Sequence, residues 1–151
     1  MALGEPISHE EGWFFPYITK LVGSKGVVVN KQTGKPHTLG SAHPLDRDLR
    51  FYDLGYQFER YDLVVLAIHD LKATRECIGM LPLIVVEPTY EGGQVWRIPR
   101  MLTDLERSKA LDSLPCVFPS QSLWAAYEVL ERAREARWFE FEALECRVRL
   151  A

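Results

Sequence analysis

Nine consecutive residues constrain this chain more than any others. Tyr61-Asp-Leu-Val-Val-Leu-Ala-Ile-His69 is apolar at adjacent positions, with Asp62 its only charge before His69. A run of that kind fits a central strand covered on both faces, although one so short also admits a buried helix. A central strand needs neighbours in its sheet and a second layer to bury it, so the flanking sequence must supply both.

The flanks read as strands and helices in alternation. Gly12 to Lys20 is aromatic and β-branched, with Pro16 marking an edge, a bulge or a strand end. Val27–Val29 form a short apolar strand, Asn30 to Gly34 carry turn chemistry, and Lys35 to Leu39 can return antiparallel. Leu45, Leu49, Tyr52 and Tyr56 recur at helical spacing, which predicts a helix over roughly 46–60 weakened in its middle by Gly55. A helical turn is expected over Thr74 to Met80 with Thr74 as cap. Pro82–Pro88 and Gln94–Ile98 read as two strands joined by Thr89-Tyr-Glu-Gly-Gly93. Thr103 or Asp104 can cap a helix ending near Leu111, and the prolines of Leu114–Ser120 read as a break. Ser120 or Ser122 starts the clearest helix, with Leu123, Tyr127, Leu130 and Ala133 along one face. The stretch from Trp138 to Leu150 alternates like a half-buried strand, but its phase slips at Ala143-Leu144, where a bulge would keep both apolar sets inward. The expected architecture is a single α+β domain over residues 1–151: a mostly antiparallel, twisted sheet with helices packed on one face, and residues 1–11 flexible.

Composition excludes several classes of function. The chain has 151 residues, 47% of them hydrophobic, enough for a core of its own. Its formal net charge is −3, and the densest basic segment, Arg132 to Arg137, alternates with Glu135 and follows Glu131. Mixed signs make a solvated helix face rather than a phosphate-tracking stripe, so no nucleic-acid partner is expected. No apolar run approaches the roughly 20 residues of a membrane span, and no basic-then-apolar start is visible, so a cytoplasmic location is expected. Cys77, Cys116 and Cys146 lack metal-ligand spacing. They read as buried free thiols, with no metal and no cofactor expected.

Reactive groups do not converge in the sequence. Nucleotide-cradling glycine loops, a nucleophile elbow and paired zinc ligands are all missing. His9-Glu10-Glu11 could supply acid/base chemistry or a weak metal site but reads as a solvated terminus. His69 with Asp70 or Cys77 is the arrangement from which a small hydrolase could better be built, and no catalytic residue is assigned. Interface chemistry is better represented. The tip of the 87–97 segment carries Tyr90 between Glu87 and Glu91, and Asp53, Glu59 and Asp62 cluster around the expected helix end. These six are the expected partner-binding residues, because an acidic, aromatic-rimmed surface steers and anchors a basic protein.

Trp13-Phe-Phe-Pro-Tyr, Gly26-Val-Val-Val-Asn-Lys-Gln-Thr-Gly34, a short return strand and the helix Asp46–Tyr56 together resemble the YrhB-like immunity-protein family of bacterial polymorphic toxin systems. The resemblance covers roughly residues 10–60. It implies a non-catalytic protein that binds a cognate toxin and neutralises it by stoichiometric occlusion. A scaffold domain for a host protein or a ligand is the alternative, with the His69 hydrolase behind it.

Overall fold

The computed structural model describes residues 2–21 and 23–147. It contains four helices and nine strands, all paired antiparallel, which places the chain in the α+β class. The strands form three sheets instead of the single one expected. Two compact units divide the chain, Met1–Phe58 and Glu59–Ala151.

The first unit is a meander with one helix. Strands β1 (Ile7–Ser8), β2 (Gly12–Leu21), β3 (Ser24–Asn30) and β4 (Pro36–Gly40) lie in sheet order, and α1 (Leu45–Asp53) follows. The register Trp13↔Val29 and Phe14↔Val28 puts Phe14 and Val28 in the core with Leu39, Leu49, Phe51 and Tyr52. Gly26 is required by close approach: a Cβ there would lie 2.3 Å from the Phe15 carbonyl oxygen. The turn after β3 is held by Asn30, whose Oδ1 accepts from the N–H groups of Gln32 and Thr33, each at 2.9 Å. α1 stops well short of residue 60, because Gly55 adopts φ +104°. Only a residue without Cβ takes that conformation at little cost, so Gly55 ends the helix rather than weakening its middle. Tyr56 then folds back to stack on Phe51, with ring centroids 4.2 Å apart. The segment before Gly12 pairs through β1 with β2 and through a Leu3–Tyr17 bridge.

The second unit centres on β5 (Tyr61–Ile68), flanked in its sheet by β8 (Cys116–Gln121) and β9 (Phe139–Glu145). β5 is central, as the apolar run implies, yet it is not sealed on both faces. Tyr61, Leu63 and Val65 are fully buried, whereas Asp62 and Val64 are half-buried and Leu66 is exposed. Leu66 is also the extra residue of a bulge, since Val65 pairs with Phe141 and Ala67 with Glu140. The bulge expected at Ala143-Leu144 is absent, since those residues pair in register with Leu63 and Asp62. The irregularity lies instead in β5 opposite Glu140-Phe141, where it turns Ile68 to the side of the buried Phe139. β9 keeps its alternation and leaves Leu144 exposed, while Val148 lies outside the described residues.

Helices α2 (Leu71–Met80), α3 (Asp104–Leu111) and α4 (Tyr127–Ala136) pack with this sheet: α2 against α3 and α4, α3 against β8, and α4 against β9. α2 begins earlier than expected. Asp70, not Thr74, is its cap, accepting from the Ala73 N–H at 3.0 Å, while buried Thr74 turns its hydroxyl back to the Asp70 carbonyl. α3 starts at the expected Thr103, which forms a capping box with Glu106. The break expected over 114–120 is strand β8, and its Pro119 is tolerated because β8 is the sheet's edge. α4 begins at Tyr127 rather than at a serine. Its cap position, Ala126, makes no side-chain bond, and burial of Leu123, Ala126 and Tyr127 sets the start instead.

Candidate functional site

Strands β6 (Ile84–Glu91) and β7 (Gln94–Met101) form a ribbon that pairs with no other strand among the described residues. Gly92 and Gly93, at φ 61° and 77°, make the two-residue turn between them, the geometry that matches the twist of paired strands. That turn fixes the register from Glu91↔Gln94 at the tip to Ile84↔Met101 at the base. An isolated two-stranded ribbon is marginal in water and needs an anchor. Here the anchor is buried Gln121. Its Oε1 accepts from the Ile84 N–H at 2.8 Å, and its Nε2 donates to the Ile84 carbonyl at 2.7 Å. The Leu102 N–H adds a bond to the Leu83 carbonyl at 2.9 Å.

Paired residues share a face, so the register sorts the ribbon into two surfaces. One carries Val86, Pro88, Tyr90, Val95, Pro99 and Met101, with Arg97 its only charge, and every one of these is exposed. Tyr90 is 75% accessible and Val95 63%. The opposite surface is mixed: Glu87, Glu91, Gln94, Trp96, Ile98 and Arg100 lie along it. A contiguous apolar surface left in water costs free energy, and on folded proteins it commonly marks a contact site.

The two prolines interrupt the ribbon's edges. The Leu102–Leu83 bond makes that pair a hydrogen-bonded one, so alternate pairs further along, Val86↔Pro99 and Pro88↔Arg97, are not. Both proline nitrogens therefore face outward, one on each edge, where a further strand would need an N–H. Each edge thus lacks one donor, while the face is uninterrupted.

Charge at the base is ordered by Arg100. Its guanidinium meets both carboxylate oxygens of Glu106, at 2.7 and 2.9 Å, and Glu87 at 2.6 Å. These bonds hold the Glu106 carboxyl down to about 2 and the Glu87 carboxyl below the ordinary range. Glu87 is thus paired with Arg100, whereas Glu91 sits exposed at the tip. Of the six expected contact residues, the structure brings Glu87, Tyr90 and Glu91 onto this ribbon, with Tyr90 on the apolar face and the two acids on the other.

The remaining three have different surroundings. Asp53, at the end of α1, accepts from His9 and from the Glu11 N–H at 3.1 Å, so its carboxylate fastens the first strands to the helix. Asp62 accepts from the Ser120 N–H at 2.9 Å and ties β5 to β8. Glu59 is exposed just before β5. Sequence reading missed Val86, Pro88, Val95, Pro99 and Met101. The signal was present: taking Gly92-Gly93 alone as the loop, instead of five residues, puts all of them on Tyr90's face.

His69 is paired with neither Asp70 nor Cys77. Its Nε2 lies 3.3 Å from Glu140 on β9, while the Asp70 carboxylate is spent on the α2 cap. Cys77 is buried with its Sγ 3.8 Å from the Val129 carbonyl, and burial pushes its thiol up to about 11. A thiol in that environment is a packing group at neutral pH, not a nucleophile.

No cluster of three or more metal-ligating side chains occurs among the described residues, and no described helix is long and apolar enough to cross a membrane. Comparison with known protein families, curated proteins and solved structures finds no match to this chain.

Proposed function

We propose that this chain is a non-catalytic binding protein of the immunity type, which neutralises a basic protein toxin by stoichiometric occlusion and docks through the β6–β7 ribbon. The observation that carries the reading is the ribbon's exposed apolar face, Val86, Pro88, Tyr90, Val95, Pro99 and Met101, held out from the fold by a polar anchor. Its chemistry is that of an interface core: aromatic and aliphatic, and poor in charge. Glu91 at the tip and the chain's net charge of −3 suit a partner of opposite sign.

The test is capture of partners with the tagged chain, set beside the same capture with Tyr90→Ser and Val95→Asp. A single near-stoichiometric basic partner, lost with either variant while the melting temperature is unchanged, supports the reading. A burial anchor of this kind is worth about 2 kcal/mol, or roughly thirtyfold in Kd. A partner retained equally by both variants would overturn the ribbon as the contact surface. An activity abolished by His69→Ala in a folded chain would overturn the occlusion mechanism.

A further inference from the structure

The end of α4 carries a residue that backbone preference does not explain. Arg137 follows the helix at φ 56° and ψ 39°, the left-handed conformation in which glycine is the ordinary occupant. Its N–H closes the helix on the Arg134 carbonyl, at 3.2 Å. A glycine would make the same bond without a Cβ in the way, so the arginine must be accounted for by its side chain.

Arg137 is one of the residues that line a pocket of about 610 Å³, with His69, Arg134, Phe139, Glu140 and Phe141. Phe139 and Phe141 are buried neighbours in β9, with ring centroids 5.2 Å apart and planes tilted by 41°. The Arg134 guanidinium lies 4.6 Å above the Phe141 ring, and its Nε is 3.7 Å from Glu131. Glu140, the one carboxylate lining the pocket, faces the His69 imidazole at 3.3 Å. Two arginines and a histidine thus line the pocket against a single carboxylate, beside two largely buried phenylalanines.

We infer that this pocket binds a small organic monoanion, an aromatic carboxylate, with its ring against Phe139 and Phe141 and its carboxylate held by Arg134 and Arg137. Guanidinium forks match a carboxylate in two parallel hydrogen bonds, which accounts for arginine rather than lysine at both positions. The phenylalanine pair rewards a flat apolar body, and the volume lies in the range of small-molecule sites. Glu140 sets the charge limit: a second anionic group in the same space would face a like charge.

The experiment is an amide-resolved NMR titration of the full chain with phenylacetate, using acetate and benzyl alcohol as its two halves. Phenylacetate should shift the amides of His69 and of residues 137–141 saturably, with each half at least about tenfold weaker, because each makes only one of the two kinds of contact. Arg137→Gly should weaken phenylacetate about tenfold while raising the melting temperature, since it removes the left-handed Cβ and the guanidinium together. Arg134→Gln, on an exposed side chain, should weaken it comparably with the melting temperature unchanged. Shifts that fail to saturate by about 10 mM, benzyl alcohol binding as tightly as phenylacetate, or unaltered affinity in either variant would overturn the proposal.

Discussion

One buried guanidinium joins two helices of the second unit. Arg107, on α3 and only 6% accessible, donates to the carbonyls of Ile78 and Leu81 at the end of α2 and to that of Leu102 just before α3. The Ile78 and Leu81 carbonyls lie where α2 ends and also accept from the Leu81 N–H at 3.3 Å and the Leu83 N–H at 2.8 Å, so Arg107 adds a second donor to each. Arg107→Met keeps the aliphatic bulk and removes every donor. It should lower stability by about 3 kcal/mol in a denaturant titration, with ribbon binding retained in whatever remains folded. Arg107 was not legible in the sequence, because nothing local distinguishes it from the solvated arginines of 132–137. Only the packing of α2 against α3 gives it carbonyls to bond. Thr103 was legible, since a threonine three residues before Glu106 is a local signal, and Thr103→Ala should cost about 1 kcal/mol in the same titration.

At the scale of elements, the base of the ribbon is tied by charge. Glu106 has a folded-state carboxyl near 2 against an ordinary 4.5, because Arg100 and Thr103 bond its charged form. A depressed carboxyl contributes stability that is complete above the unfolded value and is lost as pH falls through the folded one. Glu106 should therefore contribute to a loss in thermal melts between about pH 4.5 and 2, and Arg100→Gln should reduce that loss. An unchanged acid limb in that variant would separate the ion pairs from ribbon stability. The elements best read from sequence were those specified within a few residues: the β2–β3 strands, the Asn30 turn, the double-glycine hairpin. β8 was lost because its prolines break an isolated segment, and only its place at a sheet edge makes Pro119 acceptable. The bulge expected at Ala143-Leu144 is not there, and the one that occurs is in β5, since alternation counts residues and only pairing reveals where a strand holds an extra one.

For the molecule as a whole, charge works at a distance. A net charge of −3 is modest, so attraction of a basic partner should appear as a shallow fall in association rate with added salt, and dissociation should barely change. Stopped-flow rates at low and physiological ionic strength would measure it, and a rate that rose with salt would contradict a basic partner. The sequence spoke to the class of the fold and to the ribbon's tip. It could not reveal that Asp53 and Asp62 spend their carboxylates inside the structure, since an internal acceptor and a contact residue look alike in one dimension.

Pro88 and Pro99 carry a consequence for the chain in a crowded cell. An apolar ribbon is the kind of segment that seeds fibrils, because one molecule's open strand templates the next and each addition recreates the template. Each proline takes one outward donor from its edge, which weakens growth by that route. The ribbon's stickiness is thus biased toward its face, where contact consumes the surface, and away from its edges, where contact would renew it.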